Sequence, residues 1–382
     1  MSELKTCVNC IMDTTDPDIS FDNNGVCSHC TNATHLLDNH WHPGPEGLEN
    51  LKKHAQQIKR VSKGKDYDCL IGLSGGVDSS YLLHFLVKKL NLRPLALHVD
   101  CGWNSEIAVR NIETLVKQLD VDLYTHVVDW NIMRDLQLAF LKSGVANQDT
   151  PQDHAIFATL SHYANKNGIK YIVSGSNFSS ESILPNSWGY CASDLTQIRH
   201  IHKLFGKEKF KSFPTMSFFQ RKIKWPYVKR IKKFAPLNYM NFDKSAALEF
   251  LQEEYDWRYY GGKHHESNWT KYFQSYYLPT KFGYDKRKAH LSSLIASGQL
   301  TRDEAMREIQ EKLYDEKVIE HDRIYIAKKL GISLVELTKL ENLPNKTYLD
   351  YKNEESVQKA FSNLKNVIMM RWFKGAEDAA NK

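Results

Sequence analysis

The stretch Leu70–Leu86, LIGLSGGVDSSYLLHFL, sets three serines, a glycine pair and one aspartate between an apolar run and a helix-like repeat. Glycines at 75 and 76 let backbone amides crowd around an anion, Ser74 and Ser79 donate hydroxyls, and a helix start adds its positive end. That chemistry is a phosphate cradle. It lacks the lysine of G-x-x-x-x-G-K-S/T and the third glycine of G-x-G-x-x-G, which excludes the two common phosphate motifs. Asp78 is the odd member, because a carboxylate beside phosphate needs a Mg²⁺ between them.

A second constellation is Cys7-x2-Cys10, sixteen residues, then Cys27-x2-Cys30. Two tight knuckles of this spacing read as a closed four-thiolate zinc site of structural type, with an iron–sulfur centre as the alternative. The intervening sequence is polar and turn-rich, so the metal would supply folding energy that its core cannot. His29, His35, His40 and His42 read as surface residues. The other three cysteines, Cys69, Cys101 and Cys191, are scattered, which suits a reducing compartment better than a disulfide framework.

Positioning these groups requires regular elements. Residues 1–45 form the knuckle, and Leu48–Val61 is a helix within a linker at 46–66. From Tyr67 the runs CLIGL, PLALHV, LYTHVV and YIVSG alternate with helical patterns over Ser79–Lys89, Ser105–Gln118 and Pro151–Lys166. Short apolar runs alternating with amphipathic helices predict an α/β unit, a doubly wound parallel sheet, over 67–200. Residues 201–382 follow as a basic, aromatic segment and a C-terminal helical region, with patterns near 243–255, 285–297, 302–314, 319–330, 333–341 and 353–372.

Between Arg199 and Phe234 there are twelve Lys/Arg against one acidic residue, Glu208, interleaved with Phe205, Phe210, Phe213, Phe218, Phe219, Trp225 and Tyr227. This segment is expected to dock a partner or substrate. Over the whole chain, 51 Lys+Arg against 45 Asp+Glu give +6, which permits an acidic ligand but falls far short of a dedicated nucleic-acid binder, so none is expected. No apolar run reaches the length of a transmembrane segment and the N-terminus has no signal-like h-region, so a cytoplasmic protein is expected.

The SGGVDS of residues 74–79 resembles the SGGxDS signature of the PP-loop ATP pyrophosphatases, an adenine nucleotide alpha hydrolase-like fold. The resemblance implies that Leu73, Ser74, Gly75, Gly76, Val77, Asp78, Ser79 and Ser80 grip ATP's β,γ-pyrophosphate while AMP passes to a substrate oxygen. It further implies that His98 and Val99 line the adenine pocket, that Gly175 approaches ATP closely, and that Asp78 holds Mg²⁺. Asp100 and Asp153 could assist a metal or cap helices. The tRNA-thiolating branch is a rival, but it carries lysine where this chain has Val77, and no C-x-x-C accompanies the loop. Cys191, in GYCASD, lacks a partnered base and reads as structural.

With CVNCIMDTTDPDI, GLSGGVDSS, LHVDCGWN and residues 259–305 taken together, the chain is similar to N-acetyl sugar amidotransferases of bacterial surface-polysaccharide (LPS O-antigen) biosynthesis. That similarity implies adenylation of an acetamido oxygen on a free or nucleotide-linked sugar and its replacement by ammonia from glutaminase/cyclase-like partner subunits. ATP, Mg²⁺ and Zn²⁺ are the implied cofactors. Lys263 and Lys281 head the candidates for neutralising phosphate, followed by Lys286, Arg287 and Lys288; His264 and His265 read as acid–base or surface groups. A non-catalytic nucleotide-binding scaffold is the third reading.

Overall fold

The computed structural model describes residues 4–262 and 265–364. Four apolar runs become strands where the alternation places them: β1 (Cys69–Gly72), β2 (Pro94–Asp100), β3 (Leu123–Val127) and β4 (Tyr171–Val173). A fifth, β5 (Lys232–Phe234), comes from the basic segment. Every pairing is parallel, in the order β3-β2-β1-β4-β5. The order reverses between β1 and β4, so the loops leaving those two strands diverge and open a crevice at their carboxyl ends.

Helices dress this sheet and its appendages. Ahead of β1 come α1 (Ser28–His40) and α2 (Pro45–Val61), and within the sheet unit α3 (Val77–His84), α4 (Glu106–Leu119), α5 (Trp130–Ser143) and α6 (Thr150–Lys166). After β4 follow α7 (Phe178–Glu181), α8 (Leu195–Phe205), α9 (Lys244–Tyr255), α10 (Asn268–Tyr272), α11 (Leu278–Phe282) and α12 (Lys286–Ala296). The last are α13 (Arg302–Glu308), α14 (Glu316–Leu330) and α15 (Leu334–Glu341). None of the helices is long and apolar enough to cross a membrane, among the described residues.

Helices cover both faces. Leu51, Ile58, Leu82, Ile112 and Leu251, from α2, α3, α4 and α9, pack with Ile71 and Val173. On the opposite face Leu136, Phe140, Ala155 and Ile198, from α5, α6 and α8, pack with Leu70, Leu97 and Ile172. This is the doubly wound sheet that the alternation predicts. A third core, built on Trp103, Trp269, Tyr272, Phe273, Ile326 and Leu337, joins the end of β2 to the C-terminal helices.

The structure departs from the expected organisation in three places. The sheet runs past residue 200 into β5, and α9 covers α3, so the α/β unit draws on the segment assigned to the C-terminal region. Phe213, Met216 and Trp225 of that segment are buried against the sheet, while Phe219 and Tyr227 stay exposed, so much of its aromatic content is core. The knuckle holds a thirteen-residue helix, α1, and α5 lies where no helix was expected. In α5 Asp135, Gln137 and Ser143 are buried beside Ile132, Leu136 and Phe140, which blurs the polar face that marks an amphipathic helix.

Candidate active site

The glycine-rich loop joins β1 to α3, as the sequence requires. Gly75 has φ of +82°, and a Cβ there would meet the Ala108 carbonyl oxygen at 2.6 Å, so no other residue fits without moving α4. Within the loop the Gly76 amide donates to Ser74 Oγ (3.2 Å), and Ser79 Oγ donates to the Gly76 carbonyl (3.2 Å). Those bonds hold both serines at the mouth of the turn. Gly175, after β4, lies against α3: a Cβ there would sit 3.1 Å from the Ser79 amide nitrogen. The two loops of the topological switch are therefore in contact.

Beside them opens a cleft of about 530 Å³, lined by Leu73, Ser74, His98, Val99 and Gly175 of the expected nucleotide site. That volume is in the range of small-molecule sites. His98 Nδ1–H donates to the Leu73 carbonyl (2.8 Å), which leaves Nε2 to accept from Asn104 Nδ2 (2.9 Å). One tautomer is thereby fixed, tying β2 to the loop. Val77, Ser79 and Ser80 are buried in the first turn of α3, where Trp257 Nε1 donates to Ser80 Oγ (3.2 Å). Asp78 lies in the same turn, with Lys244 Nζ 3.9 Å from its Oδ1.

Glu266 also reaches the loop: a Cβ on Gly76 would lie 3.1 Å from its Oε1. Two carboxylates thus stand beside the phosphate cradle, a donor set suited to Mg²⁺ that keeps phosphate oxygens and waters as its other ligands. Asp100 is bonded within its own turn. Its Oδ1 accepts from the Gly102 amide (2.7 Å) and from Asn104 Nδ2 (2.9 Å), which shapes the turn after β2.

The cleft is also lined by Asp149, Gln152, Asp153, Thr270, Gln274 and Lys286. Asp149 is buried and accepts from Gln152 Nε2 and Thr270 Oγ1, both at 3.0 Å. Asp153, on the first turn of α6, is not the helix cap. Its carboxyl is pushed up to about 7 by burial and by the Asp149 carboxylate, with Lys286 pulling the other way. Burial lowers the Lys286 ammonium against the attraction of Asp149, Asp153 and Glu181.

The lysines therefore sort differently from the sequence ranking. Lys281 is not in the cleft: its Nζ donates to the Glu341 carbonyl (2.9 Å) and to that of Leu343, bracing α11 against the end of α15. Arg287 is bound to Asp285 (2.8 Å) and to the Glu311 carbonyl (2.9 Å), and Lys288 pairs with Asp13. Among the described members of this group, Lys286 alone lines the cleft. Lys263 and His264 lie outside the described residues. His265 is described, in the turn leading into α10. Asp149, Gln152 and Thr270 were not singled out by sequence; the only signal for Asp149 was the acidic start of α6, which reads equally well as capping.

The four knuckle cysteines are buried, with every pair of Sγ atoms within 4.8 Å. Cys7 and Cys30 sulfurs are 3.8 Å apart, and those of Cys10 and Cys27 3.7 Å. Thiolates about 2.3 Å from one tetrahedral ion are separated by about that distance. A cubane would hold its thiolates around a cage much wider than one ion. Hydrogen bonding among the sulfurs lowers the Cys27 thiol and raises that of Cys10. Of the scattered cysteines, Cys69 and Cys101 pack in the cores on opposite faces of the sheet, and burial raises both thiols.

Among solved structures, the chain is similar to the NH3-dependent NAD synthetase of Campylobacter jejuni in complex with nitrate, at 13% identity over 78% of this chain and 98% of that one, TM-score 0.32. It is similar to NMN synthetase of Francisella tularensis at 15% identity, with the same coverages and TM-score 0.32. The U34-tRNA thiolase NcsA of Methanococcus maripaludis, with its 4Fe-4S cluster, is similar at 13% identity over 90% of both chains, TM-score 0.33. At those TM-scores nothing about activity passes from them to this chain. No curated protein matches the sequence. Residues 266–365 match the family model of the LPS biosynthesis protein WbpG-like C-terminal domain, which includes Glu266, Thr270 and Lys286 of the cleft. The similarity to that domain covers residues 266–365 and so includes one side of the cleft but not the glycine-rich loop.

Proposed function

We propose that the chain is an ATP-dependent amidotransferase that converts the acetamido group of a UDP-linked N-acetylated sugar into an acetamidino group for lipopolysaccharide O-antigen or related surface glycans. One observation carries the reading. Glu266, Thr270 and Lys286, from the segment similar to the LPS biosynthesis domain, line one cleft with Ser74 of the SGGVDS loop, so nucleotide and sugar chemistry would meet there.

An amide is a poor electrophile and must be activated. Its oxygen attacks the α-phosphorus of ATP, the bond to pyrophosphate breaks, and the Ser74–Ser79 loop with the α3 N-terminus receives the leaving group. Asp78 and Glu266 would hold Mg²⁺, which supplies charge neutralisation when bound. Lys286, which lines the same cleft, would neutralise charge building on the phosphates. Asp153 takes a proton from ammonium, freeing the lone pair that forms the C–N bond; the C–O bond then breaks, AMP leaves with the oxygen, and the nitrogen sheds a second proton as the amidinium forms. Ammonia comes from separate glutaminase/cyclase-like subunits. Zinc in the cysteine knuckle is structural, because all four ligand positions come from protein.

A thiolating reading gains nothing from the geometry, since Cys69 and Cys101 are buried on opposite faces of the sheet and cannot act as a pair. The test is incubation with ATP, Mg²⁺, an ammonium salt and a UDP-diacetamido sugar. AMP, pyrophosphate and the acetamidino product are expected, and Lys286→Met is expected to lower kcat/KM by about a hundredfold. Absence of amidine across such sugars, with sulfur entering tRNA instead, overturns the proposal.

A further inference from the structure

Helix α12 has two loyalties. Residues two apart on a helix of 3.6 residues per turn project about 200° from one another. Lys286 lines the cleft, while Lys288 turns the other way and pairs with Asp13 of the knuckle. One turn on, Ala289 packs in the cluster of the four cysteines, and Ser292 Oγ accepts from the Ile11 amide (3.3 Å). Arg302, at the start of α13, closes the attachment: its Nε donates to the Cys10 carbonyl and its Nη2 to that of Cys7, both at 3.2 Å. Those two carbonyls flank the first cysteine knuckle, so what draws the sulfurs together also aims the carbonyls at Arg302.

We propose that the cysteine knuckle is a positioning element of the cleft, setting through Asp13, Lys288 and Arg302 the register in which α12 delivers Lys286. The inference rests on the use of Lys286 in the function proposed above. Asp13, Lys288 and Arg302 are positioning residues; none of them lines the cleft. A bound ion tightens the knuckle against α12, and its loss frees the helix to shift. A displacement of about 1 Å is enough to cost about a hundredfold in rate.

The full chain is tested as Asp13→Asn, which keeps an acceptor for the Thr15 amide (3.0 Å), as Lys288→Met, and as the double variant. Three readouts are taken: metal per chain, turnover, and the rate at which an amine-reactive reagent labels Lys286, mapped by mass spectrometry. Lys281, tied to the Glu341 and Leu343 carbonyls rather than to the knuckle, is the internal control. Metal content is expected to hold while Lys286 labelling rises at least threefold, Lys281 labelling stays constant, and turnover falls about tenfold. The double variant should be no worse than either single one, because both remove the same contact. In the unsubstituted chain, chelation should raise Lys286 labelling in the same selective way.

Unchanged labelling and turnover in both single variants overturn the inference. Equal rises at Lys281 and Lys286 also overturn it, because they report general loosening. If Lys286→Met leaves turnover intact, the catalytic reading fails, while the labelling still decides whether the knuckle positions α12.

Discussion

Gly75 holds its loop at φ of +82° with the Ala108 carbonyl 2.6 Å from where a Cβ would stand. Gly75→Ala should therefore destabilise the chain by about 1–3 kcal/mol and lower ATP affinity tenfold or more, read by thermal unfolding and by calorimetric titration. Asp153 gives a pH-dependent prediction of opposite sign to an ordinary paired aspartate. Its carboxyl is raised to about 7 in the fold from 3.8, so the native state binds the extra proton, and stability falls as pH climbs between those values. Asp153→Asn should raise Tm at pH 8, where the wild-type carboxylate is ionised and buried, and by progressively less as pH falls through 7 toward 3.8. The same variant should keep ATP–pyrophosphate exchange yet lose ammonium-dependent amidine formation, with hydroxylamine, a nucleophile already neutral near pH 7, restoring turnover. The glycine loop and the cysteines were legible in sequence because their chemistry is local. Asp153 and Lys286 were candidates in sequence, but their meeting with Asp149 was not legible, since they lie on two helices more than a hundred residues apart.

At the scale of elements, α11 and α15 are braced by Lys281 through the Glu341 and Leu343 carbonyls. Lys281→Met should lower Tm by a few degrees while leaving the KM for ATP unchanged, since the side chain stands outside the cleft; a large rise in that KM would return it to the active site. The strands β1 to β4 were readable as apolar runs, and α4, α6 and α12 from their stripes. β5 was not: KKF carries two lysines and only three residues, and pairing with β4 rather than local propensity makes it a strand. The expected helix at 302–314 ends at Glu308, after which the chain turns before Asp315 caps α14. A cap residue inside a run of charged positions has little contrast against its surroundings.

For the molecule as a whole, the cores are continuous across the expected boundary at residue 200. Trp103, at the end of β2, is 1% exposed, with Trp130 and Trp269 each 5.2 Å away between ring centroids. It belongs to the sheet unit by sequence and to the C-terminal core by packing. Trp103→Ala should cost about 3–5 kcal/mol in urea-induced unfolding, and the wild-type chain should unfold in one transition seen alike by tryptophan fluorescence and circular dichroism. Composition and spacing conveyed the layers of this architecture but not its seams, because contacts between distant segments leave no local periodicity.

The bond from the Ile11 amide to Ser292 spans 281 residues of chain. A ribosome adding about 5–20 residues each second needs tens of seconds to make the stretch between them. During that interval the knuckle can load its ion but has no α12 to rest on, and β5 has not yet closed the edge of β4. The first folded piece to emerge must therefore wait, exposed, for nearly the last. Variants that weaken the knuckle should accordingly fail most in the yield of freshly made protein, and far less in the endurance of molecules already assembled.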